Sequence, residues 1–395
     1  MLVGIVGKAN TGKSTFFKAL TLADVLIANY PFATIKPNHG VAFTKIDCIC
    51  GELNTQCNPR VGACIGKKRF VPVDVLDVAG LVPGAHEGKG MGNQFLDDLR
   101  QADAFMHVVD MSGVTNERGE PVNAGHDPAF DIKFLENELD FWILAIIKKG
   151  WDKLARQAQH EGKVLPALTN QLSGLKVTES IVAKAVNELK MDPLSPIAWT
   201  DEQLLSLATR VRKKTKPTLI VANKMDLPNS LENLERCKKQ FPDYVMIPVS
   251  AESELALREA ANKKLISYVP GDSSFTVTGN LSDGQKKGLE YIKKNVLDRF
   301  GNTGVQQAID ASVFQLLHYL AIFPAGVGKL GDSHGNILPD CFLLPPASTA
   351  FDFANKIHTD LAKNFVAAID VKSKRKIGRD TLLKNRDAIE IMTSK

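Results

Sequence analysis

The sequence predicts an α/β fold built on a phosphate-binding loop, interrupted by a helical insertion and closed by a small β-grasp-like unit. Three observations carry this. An apolar run at residues 2–6 meets a glycine-bracketed loop and then a helical pattern to residue 20. Further apolar runs each end in a polar residue, at Asp77, Asp110, Asn223 and Ser250. From residue 322 the composition turns to strand and turn signals.

The first element decides the chemistry. Gly7, Lys8, Ala9, Asn10, Thr11, Gly12, Lys13 and Ser14 fit G-x-x-x-x-G-K-[ST], with Thr15 following in the helix. A triphosphate is gripped by backbone N–H groups that only a side-chain-free turn brings close, and Gly7 and Gly12 supply that turn. The helix start aims its positive dipole end at the phosphates, Lys13 reaches the β and γ groups, and the Ser14 hydroxyl can bind Mg²⁺. The strand–loop–helix context is that of a P-loop NTPase with a Ras-like G domain.

Residues 26–38 are rich in Pro and Asn without period, at the distance where a nucleotide switch would sit. Thr34 there can complete the Mg²⁺ shell and bond the γ-phosphate, ordering the loop until hydrolysis. Residues 40–47 and 69–77 read as strands, plausible antiparallel partners. The second ends in Asp77-Val-Ala-Gly80, which places a carboxylate to hold Mg²⁺ through water and a Gly80 N–H near the γ-phosphate. The next residue is Leu81, where Ras-type enzymes use a Gln to orient water, so intrinsic hydrolysis should be slow or use another group. Two candidates are a K⁺ held by Asn10 and the imidazole of His107. Glycine-punctuated residues 81–92 and a helix at 93–100 read as a second switch.

The strand at 218–222 runs into Asn223-Lys224-Met225-Asp226, the N-K-x-D tetrad. The Asp226 carboxylate can accept from both N1–H and the 2-amino group of guanine, whereas adenine leaves it unpaired. Asn223 can meet N7 and tether the phosphate loop, and the Lys224 stem can lie over the ring. Residues 243–251 read as a last strand, ended by Ser250 and Ala251, whose backbone N–H groups can face guanine O6.

With these stretches in register, the chain resembles the Obg family of translation-factor-class GTPases, within it the YchF-like branch. The resemblance rests on residues 7–14, 29–38 (NYPFATIKPN), 77–85 (DVAGLVPGA) and 88–96 (GKGMGNQFL), and covers nearly the whole chain. It implies that a hydrophobic residue after Asp-x-x-Gly, here Leu81, is a family trait. YchF proteins alter the base-reading tetrad and are similar to ATPases; this sequence keeps Asn223, Lys224 and Asp226, which favours GTP.

About a hundred residues separate Asp110 from Thr218, far more than a crossover needs, so a unit is inserted. Residues 131–159, 178–189 and 201–212 read as helices, with Asp201 as an N-cap, in an antiparallel arm that resembles the coiled-coil arm of the YchF branch. The domain expectation is a G domain at 1–270 with the insertion at 112–215, a helical connector at 271–322 and a β-grasp at 323–395. That last part resembles a TGS domain through residues 344–350, 353–360 and 377–380. Lys372, Lys374, Arg375, Lys376 and Arg379 form the densest basic run, an RNA-phosphate footprint or a solvated turn.

Cys48, Cys50, Cys57 and Cys64 sit in a Gly/Pro-rich loop. Four such thiols fit a tetrahedral Zn²⁺ staple, although C-x-C followed by two six-residue gaps is not the usual pair of knuckles; free or redox-active thiols are the alternatives. Six cysteines in 395 residues argue against a disulfide framework. A charged fraction of 24%, a net charge of +5 and no long apolar run describe a cytoplasmic, monomeric protein off membranes and DNA. The expected ligands are GTP or GDP with Mg²⁺, with K⁺ at Asn10 and Zn²⁺ at the cysteines; the expected partner is the ribosome or another RNA-containing assembly, and the expected reaction is hydrolysis of GTP to GDP and phosphate.

Overall fold

Runs of branched and aromatic residues bounded by glycine or polar residues form the strands of the central sheet. In chain order these are β1 (Leu2–Val6), β2 (His39–Asp47), β3 (Ala63–Ile65), β4 (Lys68–Asp77), β5 (Ala104–Asp110), β6 (Thr218–Asn223) and β7 (Met246–Pro248). The computed structural model describes residues 1–22, 39–78, 100–116, 118–122, 125–332 and 334–394. Thr34, Gly80 and Leu81, with both expected switch loops and most of the helix expected at 93–100, lie outside the described residues.

The chain divides into two compact units, Met1–Phe17 with Val75–Ala251, and Lys18–Asp74 with Glu252–Lys395. In the first, the carboxyl end of β4 is followed by β1, β5, β6 and β7. The pairs β1–β5, β5–β6 and β6–β7 are all parallel. Every residue of β5 and β6 is buried, as expected of parallel strands covered on both faces. Helix α1 (Lys13–Thr21) leaves the phosphate loop.

The insertion contributes α2 (Pro128–Lys148), α3 (Trp151–Glu161), α4 (Val164–Gln171), α5 (Glu179–Glu188) and α6 (Asp201–Thr215). Asp127 caps α2 by accepting from the Ala129 N–H, and Pro128 pre-sets its first turn. The single helix expected at 131–159 is two, because Gly150 adopts φ +72° between them. The cap of α6 is Thr200 rather than Asp201: its hydroxyl accepts from Gln203 N–H while the Gln203 side chain returns to the Thr200 N–H. Two of these helices pack on the sheet: Leu135, Leu139, Trp142 and Ile143 of α2 and Leu207 and Val211 of α6 share one core with Val6, Leu76 and Phe105, since apolar residues cover enough of α2 to meet both the sheet and the other helices.

In the second unit β2 neighbours β4, and β3 pairs antiparallel with β4. Two short strands, β8 (Ile266–Ser267) and β9 (Thr276–Val277), pair antiparallel, and five further strands, β10 (Leu320–Pro324), β11 (Phe342–Leu344), β12 (Phe365–Asp370), β13 (Arg375–Ile377) and β14 (Ala388–Thr393), form a sheet in the order β11-β10-β14-β12-β13. Its pair β10–β14 is parallel and the others antiparallel. The helix Ala350–Ile357 starts at a Thr349–Asp352 capping box and buries Phe353 against Ile322, Leu344 and Ile389, completing a β-grasp.

Candidate nucleotide-binding site

Parallel strands bring their carboxyl ends to one edge, and there this sequence places its polar residues. Val6 of β1 leads into Gly7, Asp77 ends β4, Asp110 ends β5 beside its register partner Asn223 of β6, and Ser250 follows β7. Two glycines of the loop are dictated by space. A Cβ on Gly7 would stand 2.6 Å from the Val108 carbonyl, and one on Gly12, where φ is +90°, 2.3 Å from Asn223 Nδ2. Helix α1 opens with Phe16 N–H on the Gly12 carbonyl at 2.8 Å, so the N–H groups before it have no helical acceptor. Ser14 lies exposed in that first turn, with Thr15 half-buried behind it.

Lys13 Nζ lies 3.9 Å from Asp77 Oδ1. Burial pushes the Asp77 carboxyl above the usual carboxylate range, with Lys13 opposing it. Its Oδ1 is buried without a hydrogen-bond partner, an arrangement that a cation would relieve. The Asp77 carboxylate and the Ser14 hydroxyl are hard oxygen donors of the kind that fits Mg²⁺.

The tetrad is tied to the loop through Asn223, whose Nδ2 donates to Thr11 O at 2.9 Å while its Oδ1 accepts from Ala251 N–H at 3.1 Å. Ser250 Oγ donates to Asp226 Oδ1 at 2.7 Å, fixing the tetrad's carboxylate beside the turn after β7. Lys224, at φ +63°, sets its ammonium 2.7 Å from Asp110 Oδ2. Burial works to raise the Asp110 carboxyl, but hydrogen bonds from Lys224, Ser112 and Thr115 outweigh it and hold the group below its usual range. The amide of Asn10 donates to Gly119 O at 2.8 Å.

Two residues do not face a ligand as their sequence context suggests. The Lys8 side chain turns inward, to Thr115 O at 3.0 Å and to Asp131 of α2 at 2.9 Å (Oδ1) and 2.8 Å (Oδ2), leaving only its backbone for a phosphate. His126 Nε2 meets the same carboxylate at 2.8 Å. His107 is buried beside Leu135, Leu139 and Ile132, and burial, with Lys8 nearby, depresses its pKa to about 3. A neutral core imidazole is its state near neutral pH. Asp110 and Asp131, which pair with Lys224 and Lys8, are the neighbours of the loop and tetrad that motif reasoning missed. Asp110, as the polar end of a fully buried strand, carried a readable signal, whereas Asp131 did not.

Residues 221–326 match the family described as Obg-like GTPase YGR210-like, G4 motif-containing domain; residues 2–139 match the 50S ribosome-binding GTPase family; residues 333–393 match the TGS domain. An uncharacterised GTP-binding protein of Methanocaldococcus jannaschii is 48% identical over 394 residues, covering 100% of this chain and 99% of that protein. A protein of Mycoplasma pneumoniae named ribosome-binding ATPase YchF is 31% identical over 376 residues, 92% of this chain and 87% of its own. The chain belongs to the YchF-like branch of the Obg-family GTPases. The crystal structure of a GTP-binding protein from Pyrococcus horikoshii OT3 superposes with a TM-score of 0.79 at 38% identity, covering 100% of each chain. The YchF-like assignment therefore joins a P-loop GTPase domain to a C-terminal TGS domain in one chain. Among the described residues no helix is long and apolar enough to cross a membrane.

Proposed function

We propose that this chain binds GTP with Mg²⁺, hydrolyses it to GDP and phosphate, and serves as a nucleotide-dependent switch on the ribosome. The observation that carries the reading is the single linkage from phosphate loop to base reader: Thr11 to Asn223, Asn223 to Ala251, and Ser250 to Asp226. A nucleotide lying along it would meet the loop N–H groups and Lys13 at one end and the Asp226 carboxylate at the other. Ser14, Thr34 and Asp77 would hold Mg²⁺, which when bound neutralises charge on the phosphate oxygens. Lys13 would stabilise negative charge at the transferred group, the role the sequence also expects of the Gly80 N–H. Leu81 offers no amide to orient water, so turnover by the chain alone is slow. Asn10, whose amide nitrogen donates to Gly119 O, would offer its carbonyl to a K⁺ supplying the missing positive charge.

The ribosomal part of the reading draws on the Mycoplasma relative's name and on the exposed basic residues Lys374, Arg375 and Lys376 at the β12–β13 hairpin. Not all of the basic run is free for RNA: Lys372 pairs with Glu52 at 2.6 Å and Arg379 stacks on Phe351 at 3.6 Å. A second reading, ATP in place of GTP, follows from the ATPase name of that same relative. It leaves Asp226 without a partner on the base.

Single-turnover hydrolysis of GTP and ATP, with and without ribosomes and with K⁺ or Na⁺, tests the proposal. GTP turnover raised by ribosomes or K⁺ is expected. Turnover confined to ATP, or none under any condition, overturns it.

A further inference from the structure

Cys48, Cys50, Cys57 and Cys64 lie outside the nucleotide site, and the nucleotide chemistry uses none of them. Their placement is local. Cys48 and Cys50 follow β2 in a tight turn, closed by Gly51 N–H and Glu52 N–H on the Cys48 and Ile49 carbonyls and by Thr55 N–H on the Cys50 carbonyl at 2.9 Å. Cys64 sits on β3 opposite Arg69 of β4, where the connecting turn takes Gly66 and Lys67 through φ +56° and +63°. The Cys48 N–H donates to the Lys67 carbonyl at 2.8 Å, which locks the turn to that hairpin.

The four sulfurs all lie within 4.8 Å of one another. Cys48 and Cys57 are 3.6 Å apart, and Cys50 and Cys64 are 3.9 Å apart. A tetrahedron of sulfurs at Zn–S distances of about 2.3 Å has edges of about 3.8 Å. The measured separations match that edge. Both exceed the roughly 2.05 Å of a disulfide.

A second observation concerns charge. Arg69 is 1% exposed, one of the largest fully buried side chains of the protein. Its guanidinium donates to Leu338 O at 3.0 Å and Pro339 O at 2.8 Å and lies 3.6 Å from Cys57 Sγ. Among the described residues no carboxylate pairs with it, and its Nε has no partner. Four neutral thiols give a buried cation no counter-charge, and its desolvation would be met by the two backbone carbonyls alone. Four thiolates around a divalent cation carry two net negative charges, which Arg69 offsets in part.

We propose that Cys48, Cys50, Cys57 and Cys64 bind one structural Zn²⁺, with Arg69 as the outer-shell cation, and that the ion rivets residues 48–64 to the β-grasp. On binding, the four thiols release their protons and form four Zn–S bonds, with no change of oxidation state. The rivet's purpose is legible in its surroundings. Cys48, Ile49, Cys50 and Cys57 share a core with Phe323, Leu338, Val371 and Ala388. Asn58 and Arg60 N–H donate to the Ile337 and Pro339 carbonyls at 3.0 Å each, and Arg386 Nε donates to Asp47 O at 2.9 Å. An irregular loop with little core of its own is the kind of segment that needs a covalent-strength anchor.

The test uses the full chain, expressed with zinc present and purified under reducing conditions without chelator or polyhistidine tag. Elemental analysis is expected to give about one zinc per chain, released on titration of the thiolates with an organomercurial. Replacement by Co²⁺ should give the visible bands of a tetrahedral tetrathiolate. Cys57→Ser should lose the zinc and Cys237→Ser should keep it, while Arg69→Met should bind Zn²⁺ about 10- to 100-fold more weakly. Because Cys57→Ser could misfold, hydrogen exchange of the wild type with and without chelator supplies an independent reading. Residues 48–64 and β14 should exchange faster on zinc removal, with nucleotide affinity unchanged. Zinc well below one per chain, iron in its place, or disulfides joining these cysteines would overturn the proposal.

Discussion

The buried ion pair between Lys8 and Asp131 gives the sharpest mechanical prediction, because it ties the phosphate loop to the helical insertion across 123 positions of sequence. Lys8 is 4% exposed and Asp131 5%, with the ammonium 2.9 Å from one carboxylate oxygen and 2.8 Å from the other. At an effective dielectric constant of about 20, a separation near 2.8 Å corresponds to roughly 6 kcal/mol of gross attraction. Desolvation of both groups cancels much of it, so the pair adds little over an apolar pair of the same shape. Removing one partner is different: Asp131→Asn strands a buried ammonium and should cost about 3–5 kcal/mol. Since a chain of two compact units need not unfold in one step, the appropriate assay is native-state hydrogen exchange of residues 7–14 and of α2. Asp131→Asn should lower the opening free energy there by that amount and weaken GDP binding, whereas Lys8→Met combined with Asp131→Leu should restore most of the protection. A loss below about 1 kcal/mol in the single variant, or strictly additive effects in the double-mutant cycle, would refute the reasoning.

Three further outcomes follow from buried carboxyl groups and from the loop. Asp77→Asn should raise the melting temperature of the nucleotide-free protein, because burial disfavours the carboxylate, and should weaken Mg²⁺-dependent GTP binding; a variant that binds as the wild type removes Asp77 from the metal site. Asp310, buried and accepting from Lys45 N–H at 2.6 Å, Thr44 and Gln306, has its pKa raised to about 6, chiefly by burial. Its folded-state value exceeds the unfolded one, so its contribution to stability is present below the usual carboxylate range and is lost as pH rises through about 6; a melting series across pH 4–7 should show this slope for the wild type and lose it for Asp310→Asn. Gly12→Ala should abolish nucleotide binding, since its Cβ would stand 2.3 Å from Asn223 Nδ2, and unchanged affinity would show that the loop relaxes away from the tetrad.

The sequence was most readable where one strand end carries one chemical group. Gly7–Ser14, Asp77, Asn223–Asp226 and Ser250 each announce themselves locally, and parallel pairing alone brings them to one edge of the sheet. The helices of the insertion were legible by period but not by limit. Thr200 and Gln203 spell a capping box that outcompetes Asp201, and Gly150 ends a helix whose apolar pattern runs on. That α2 meets both the sheet and its neighbouring helices depends on a buried face broader than a single stripe, which a one-face pattern does not report. Lys8 looks like a phosphate ligand by its position in the loop, and only the distant Asp131 turns it inward. The cysteine spacing is ambiguous in one dimension because the hairpin turn at Gly66 and Lys67, and the cation at Arg69, give it its meaning.

Base selection by Asp226 is the claim on which the account turns, and equilibrium competition measures it. With Mg²⁺ present and a fluorescent GDP bound, GTP should displace the probe at concentrations about 100-fold or more below ATP, as two hydrogen bonds to a charged acceptor imply. Asp226→Asn should lose guanine affinity and gain xanthine affinity, because the amide donates where the carboxylate accepted. Equal displacement by GTP and ATP, or an Asp226→Asn variant with the wild-type preference, would contradict it.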